Sequence, residues 1–273
     1  MHPILLRAGN FQLTSYVALI ALAGVCSLLF FRRFKGVLGL PDDSSFWFLA
    51  NVIGISGVIG GRLFDLLLHP KNYAGVGDFL AALTTNKDGF STFGVLGGVM
   101  LGVWFACRNL RMDYLRTLDY VCLVIPVGHG IARIGCFLNG CCHGCVPHGG
   151  LPWAVVFTDP AAAVHSGFLG QPLHPTQLYE AAGDWLLAGV LYFLVRPRVE
   201  RGILPRGLVA VGYFAGYGLI RFITDFYLGN SPEWNGAGVT LGQIFSLVII
   251  MLAVILLRVA ITQKRSSSSR AAQ

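Results

Sequence analysis

Arg62, Asp65, Arg133, Glu180, Asp184, Arg221 and Asp225 all stand inside otherwise apolar runs of the sequence. A lone charge at mid-bilayer costs at least about 2.5–3.5 kcal/mol on insertion scales, so such groups turn inward and find partners. Arg62 and Asp65 are three residues apart and Arg221 and Asp225 four apart, so each pair shares a helix face. Snorkelling with structural ion pairs accounts for any one arginine; three at one depth point to a shared polar cavity. Such a cavity suits an anion, because a guanidinium offers paired donors that match a phosphate and keeps its charge when desolvated. A proton or cation path would favour acidic groups without so many arginines. The anion available at that depth is a phospholipid head group.

A second concentration of chemistry lies at residues 136–145, where Cys136, Cys141, Cys142 and Cys145 surround His143. Three readings stay open: packing or a disulfide, a catalytic or substrate-contacting thiol, and a metal site. Zinc takes Cys and His ligands, but the Cys-x4-Cys-Cys-x2-Cys spacing is not that of a standard finger. Adjacent Cys141 and Cys142 do not readily bridge each other, so a disulfide would use Cys136 or Cys145. Cys26, Cys107 and Cys122 lie in or beside apolar runs and read as small buried residues. His129, one turn before Arg133, is either a base or a buried hydrogen-bonded histidine. Tyr217, one turn before Arg221, is either packing or part of the site. Trp153, Trp185 and Trp234 read as interfacial anchors.

The elements that must position these groups are membrane spans. The chain has 273 residues, 55% hydrophobic and only 12% charged, against about 25% charged in a soluble domain. Seven runs approach or reach the ~20 residues a spanning helix needs: Phe11–Phe31, Phe46–Leu68, Phe90–Cys107, Leu118–Leu138, Leu178–Val195, Leu208–Phe226 and Leu241–Leu257. The first is too long for the apolar core of a signal peptide and has its basic cluster after it. Fourteen of the 20 Lys and Arg residues fall in the loops of one side, and Arg7, Lys71 and Lys87 on the other. The positive-inside rule then puts the N-terminus outside and the C-terminus in the cytoplasm. The net charge of +7 is scattered in short clusters between apolar runs, a topology signal and not a nucleic-acid surface. The expected protein is all-α and polytopic, with one membrane-embedded domain at 1–262 and a disordered cytoplasmic tail at 263–273. The longer loops His69–Gly89 and Asn139–Gln177 fall outside and would cap whatever lies below them.

The stretch Gly130-Ile-Ala-Arg133-Ile-Gly-Cys136-Phe-Leu-Asn139-Gly-Cys141-Cys142-His-Gly144 resembles the signature of the prolipoprotein diacylglyceryl transferase family. In that signature an Arg-x-Gly-Asn-Phe-x-Asn-Gly-Glu run closes a span. Gly60-Gly61-Arg62, the glycines from Gly94 to Gly102, and His174-Pro-Thr-Gln177-Leu-Tyr-Glu180 are similar to further family motifs. So are Tyr217 with Arg221 and Asp225, and Gly242-Gln243-Ile244, all in order. The resemblance implies transfer of the diacylglyceryl group of phosphatidylglycerol to the lipobox cysteine of a prolipoprotein, with glycerol phosphate released. It implies a bacterial inner-membrane enzyme whose site faces the outer leaflet. Arg133, Arg221, Tyr217 and Asp225 would act in catalysis; Arg133, Arg62, Asn139, His174, Gln177 and Glu180 would bind substrate. Phosphate held by arginines calls for no metal, nucleotide or other cofactor. No Gly-x-x-x-x-Gly-Lys-Ser/Thr loop is present.

The departures are specific. Cys136 stands where the signature has Asn, Cys141 where it has Glu, Phe93 where the third span carries His or Tyr, and Leu228 where an arginine often follows. Relatives with an Arg-x-Gly-Cys-Phe-x-x-Gly-Cys-Cys-x-Gly motif share the cysteines. These substitutions keep two alternatives in view: a paralogous transferase with another acceptor, and a non-enzymatic phospholipid-binding protein.

Overall fold

A computed structural model describes residues 3–8, 11–68, 91–229 and 238–271. The expected loop at 69–89 and Trp234 lie outside the described residues. Seven described helices are long and apolar enough to cross a membrane, so this is a multi-pass membrane protein. They are α1 (Ser15–Arg32), α3 (Asp43–Leu68), α4 (Thr92–Leu110), α5 (Tyr114–Asn139), α6 (Thr176–Glu200), α7 (Leu208–Asp225) and α8 (Leu241–Ala271); a single turn, α2 (Lys35–Leu38), follows α1. The chain forms two compact units, one of Met1–Phe31 with Asp119–Gln273, the other of Arg32–Leu118.

The first expected span starts too early. Residues 11–14 are the strand β2, paired antiparallel with β1 (Ile4–Ala8) through Arg7↔Gln12 and Ile4↔Thr14. Hydropathy alone cannot see this break, because a short apolar strand and the first turn of a buried helix look alike. Thr14 begins the helix, its Oγ1 accepting the Val17 amide at 3.2 Å. At the other end α8 runs on to Ala271, through a segment with no glycine or proline to stop it. A two-residue pair, β3 (Val155–Val156) with β4 (Pro172–Leu173), ties the 140–175 loop together.

In the Arg32–Leu118 unit, α3 and α4 cross on glycine. A methyl on Gly60 would stand 2.8 Å from the Gly98 Cα, closer than packed atoms tolerate. That contact explains the Gly60-Gly61 and Gly94–Gly102 runs as a close helix crossing of the small-residue kind. Gly61, Arg62, Asp65 and Leu66 are buried on the same stretch of α3.

In the other unit, Pro126 sits inside α5 two turns before Arg133, where it removes one backbone donor from the helix. Asp119, near the start of that unit's share of α5, accepts the Gly207 and Ala210 amides at 2.7 and 2.9 Å. It thereby satisfies orphan donors at the start of α7. This clasp joins the helix carrying Arg133 to the helix carrying Arg221. Further along, α7 packs on both α6 and α8.

Candidate functional site

The charged groups of α5, α6 and α7 meet on Glu180. Its Oε2 lies 2.7 Å from Arg133 Nη2 and its Oε1 2.7 Å from Arg221 Nη1. Arg221 Nη2 also donates to Asp225 Oδ1 at 2.9 Å. Asp225 accepts from Thr240 Oγ1 through its other oxygen, and the Thr240 amide donates to Gln243 Oε1 at 3.1 Å. Gly242 lies against this carboxylate: a Cβ there would stand 2.6 Å from Asp225 Oδ1. Two guanidiniums and two carboxylates therefore form one continuous chain across three helices. The sequence spacing foresaw Arg221 with Asp225. The bridging role of Glu180 depends on how α5, α6 and α7 are brought together, and spacing does not show that.

A second pair lies beside the first. His129 Nδ1 is 2.7 Å from Asp184 Oδ2, and the His129 ring stands edge-on to Tyr217 with centroids 5.5 Å apart. Tyr217 is 1% exposed and stacks on Tyr213. Its hydroxyl has no hydrogen-bond partner among the described residues, nor have Arg133 Nε and Asp184 Oδ1. Buried polar groups are normally satisfied, so unpartnered ones in a single cluster mark where a ligand or water belongs. The Arg133 Nε–H and the Tyr217 hydroxyl are donors and suit an anion, while Asp184 Oδ1 and Glu180 Oε2, the latter at ion-pair distance from Arg133, are acceptors.

The expected binding residues divide. Gln177 and Thr176, both buried at the start of α6, reach back to the loop after α5. Gln177 Nε2 donates to the Cys141 carbonyl at 2.7 Å and Thr176 Oγ1 to the Cys142 carbonyl at 2.8 Å. Gln177 therefore holds backbone, while its own Oε1 is unpartnered among the described residues. Asn139 interacts with the Cys141 thiol through its side chain, and its carbonyl accepts the Ala163 amide at 2.7 Å. His174 is set with aromatic groups: its Nδ1 is 3.2 Å from the Tyr179 hydroxyl and its ring 5.0 Å from that of Tyr227. Partial burial lowers its pKa below the ordinary histidine value. Trp153 donates to the same Tyr179 hydroxyl at 2.8 Å. Arg62 belongs to the other compact unit, where it is buried with Asp65.

The cysteines separate too. All seven are free thiols. The sulfurs of Cys136, Cys141 and Cys142 lie within 4.8 Å of one another, the geometry of a site able to hold a metal ion. Cys145 is not of that group; its amide donates to Tyr227 and its carbonyl accepts from His174. His143 is buried with its Nδ1 3.0 Å from the Gly144 carbonyl and its ring against Phe168. Cys142 is exposed, and its thiol is held well below the ordinary value. The causes are first the hydrogen bonds from Cys136 and Cys141, which outweigh desolvation, and then, more weakly, the positive charges of Arg133 and Arg221.

Fold and site define a membrane-embedded protein with a buried arginine–carboxylate cluster that has donors to spare for an anion. A family model described as prolipoprotein diacylglyceryl transferase matches residues 3–259. The chain is 31% identical over 257 residues to the phosphatidylglycerol–prolipoprotein diacylglyceryl transferase of Clostridium tetani, covering 93% of this chain and 96% of that one. It is 32% identical over 278 residues to the protein of the same name from Glaesserella parasuis, covering 98% and 96%. The relative from Geobacter sulfurreducens is 29% identical, with 92% of each chain covered. The chain belongs to the prolipoprotein diacylglyceryl transferase family.

Proposed function

We propose that this protein transfers the diacylglyceryl group of phosphatidylglycerol to the lipobox cysteine thiol of prolipoproteins, releasing glycerol phosphate. The observation that carries the reading is the buried cluster in which Arg133 and Arg221 share Glu180 while Arg133 Nε and the Tyr217 hydroxyl have no hydrogen-bond partner among the described residues. Arg133 binds the lipid phosphate through that free edge. Arg221, held by Glu180 and Asp225, stabilises the charge that grows on the departing phosphate, and fixed donors in a poorly hydrated site are worth most there. Tyr217 donates to the same oxygens. Glu180 holds the two guanidiniums together and Asp225 fixes the second edge of Arg221. Asn139, His174 and Gln177 belong to the substrate-binding surface.

The protein lies in the bacterial inner membrane, with residues 1–262 as the embedded domain and 263–273 as a cytoplasmic tail. The loop charges support an outside N-terminus and a site toward the outer leaflet. Purified protein incubated with phosphatidylglycerol and a lipobox peptide tests the reading. The expected result is a thioether on the peptide cysteine and equimolar glycerol phosphate. Lipid consumption without peptide modification would point to another acceptor. Binding without turnover would remove the enzyme reading altogether.

A further inference from the structure

We propose that Cys136, Cys141 and Cys142 form a three-thiolate zinc site whose open fourth position takes the acceptor thiol. The identity of that thiol rests on the function proposed above; the metal site does not.

The chain is shaped to converge three sulfurs. Cys136 lies on the last turn of α5, and the helix closes where the Gly140 amide donates back to the Cys136 carbonyl at 2.9 Å. Gly140 and Cys142 both take left-handed backbone, with φ of 83° and 55°. That conformation is unusual for a residue with a side chain, and it folds 141 and 142 back over the helix end. Gln177 and Thr176 then fix the carbonyls of Cys141 and Cys142 from the start of α6. The resulting sulfur separations, all within 4.8 Å, need little closure to reach the spacing of about 3.8 Å set by zinc–sulfur bonds of ~2.3 Å in a tetrahedron.

The ligand count is the informative part. Structural zinc sites use four protein ligands, whereas catalytic sites use three and keep one position open. No fourth His, Cys, Asp or Glu joins this group among the described residues. Cys136 is buried, Cys141 half-buried and Cys142 exposed, so the trio is open on one side. A thiol that enters the fourth position is bound as thiolate. In the reaction the incoming cysteine gives its proton to water as its sulfur binds zinc. That sulfur then attacks the terminal glyceryl carbon. The S–C bond forms as the C–O bond to phosphate breaks, and the electron pair leaves on the glycerol phosphate. Zinc is unchanged.

The test uses full-length protein in detergent, reduced, loaded with zinc sulfate and freed of excess. One zinc per chain is expected, lost on chelation. Cys141→Ser and Cys142→Ser should lose it and Cys145→Ser should keep it. Because Cys136 is buried and its replacement disturbs packing as well as any metal, the wild type supplies the check at that position. Zinc should protect Cys136, Cys141 and Cys142, and not Cys145, from alkylation mapped by mass spectrometry. With cobalt in place of zinc, a lipobox peptide should shift the visible spectrum, and its Cys→Ser counterpart should not. A free thiol of pKa near 8.5 is only about 1% thiolate at pH ~6.5, so removing zinc should slow transfer up to about hundredfold there and about twofold near pH 8.5. Zinc absent, or retained in the Cys141 and Cys142 variants, overturns the site. Cobalt that ignores the peptide thiol, or equal rates with and without zinc, overturns its role in acceptor activation. Metal and thiol binding without thioether formation on any lipid would leave the site standing and sink the transferase reading instead.

Discussion

Arg133 and Arg221 are joined through one carboxylate: the two oxygens of Glu180 lie 2.7 Å from a guanidinium nitrogen of each. The Glu180 side chain is 2% exposed, and those of Arg133 and Arg221 are 9% and 14% exposed. Two buried cations this close would repel each other without the shared anion. Removing one partner of a buried ion pair typically costs about 3–5 kcal/mol. Glu180→Gln should therefore lower the stability of the detergent-solubilised protein by about 3 kcal/mol or more, read from its unfolding transition. An unchanged transition would mean that the arginines do not depend on Glu180.

Arg133 has a different consequence, because its Nε is free to meet a ligand. Arg133→Ala removes the donor proposed to meet the phosphate while leaving α5 apolar enough to insert. Loss of one such donor typically slows turnover about 10²–10³-fold. The measurement is thioether formation on a lipobox peptide, alongside a membrane-fractionation control. Wild-type turnover in a correctly inserted variant would remove the phosphate-clamp reading.

Seven spans are legible in the sequence because hydropathy over about 20 residues is a strong signal, and Arg221 with Asp225 because four residues make about one helical turn. Contacts that close only in three dimensions leave no such local signal. Glu180 and Arg133 are 47 residues apart, and Thr240 meets Asp225 from 15 residues further along the chain. Asp119 carried no signal in the sequence, since a cap on another helix has no local signature. The cysteine stretch was visible as a cluster. Which three sulfurs converge depends on left-handed backbone at Cys142, which no propensity would assign to cysteine. Strand β2 was absorbed into the first span because Phe11 to Phe31 is apolar enough for either structure.

Asp119 deserves a test of its own, because it fixes α7 relative to α5 well away from the charged cluster. It accepts two amides at the N-terminus of α7, from Gly207 and Ala210. Replacing a helix-capping acceptor by alanine typically costs about 0.5–2 kcal/mol, and the capped amides here are buried. Asp119→Ala should lower stability by about 2 kcal/mol. Hydrogen exchange should rise at the amides of residues 207–210 before it rises around Arg221. If exchange rises first at Arg221, the clasp does not govern the start of α7.

Gly242 is the residue at which α8 comes against the charged cluster. Its missing side chain leaves room for Asp225: a Cβ would stand 2.6 Å from Oδ1 and 3.0 Å from Oδ2. Asp225 is 2% exposed and is held by Arg221 and Thr240 together, so it cannot yield without loosening one of them. Overpacking of this kind typically costs about 1–3 kcal/mol. Gly242→Ala should destabilise the protein by that amount and slow transfer more than Thr240→Val does, because the methyl displaces the carboxylate where the valine removes one donor to it and the acceptor of the Gln243 amide. If the alanine variant matches wild type in both stability and turnover, α8 does not hold Asp225 in place.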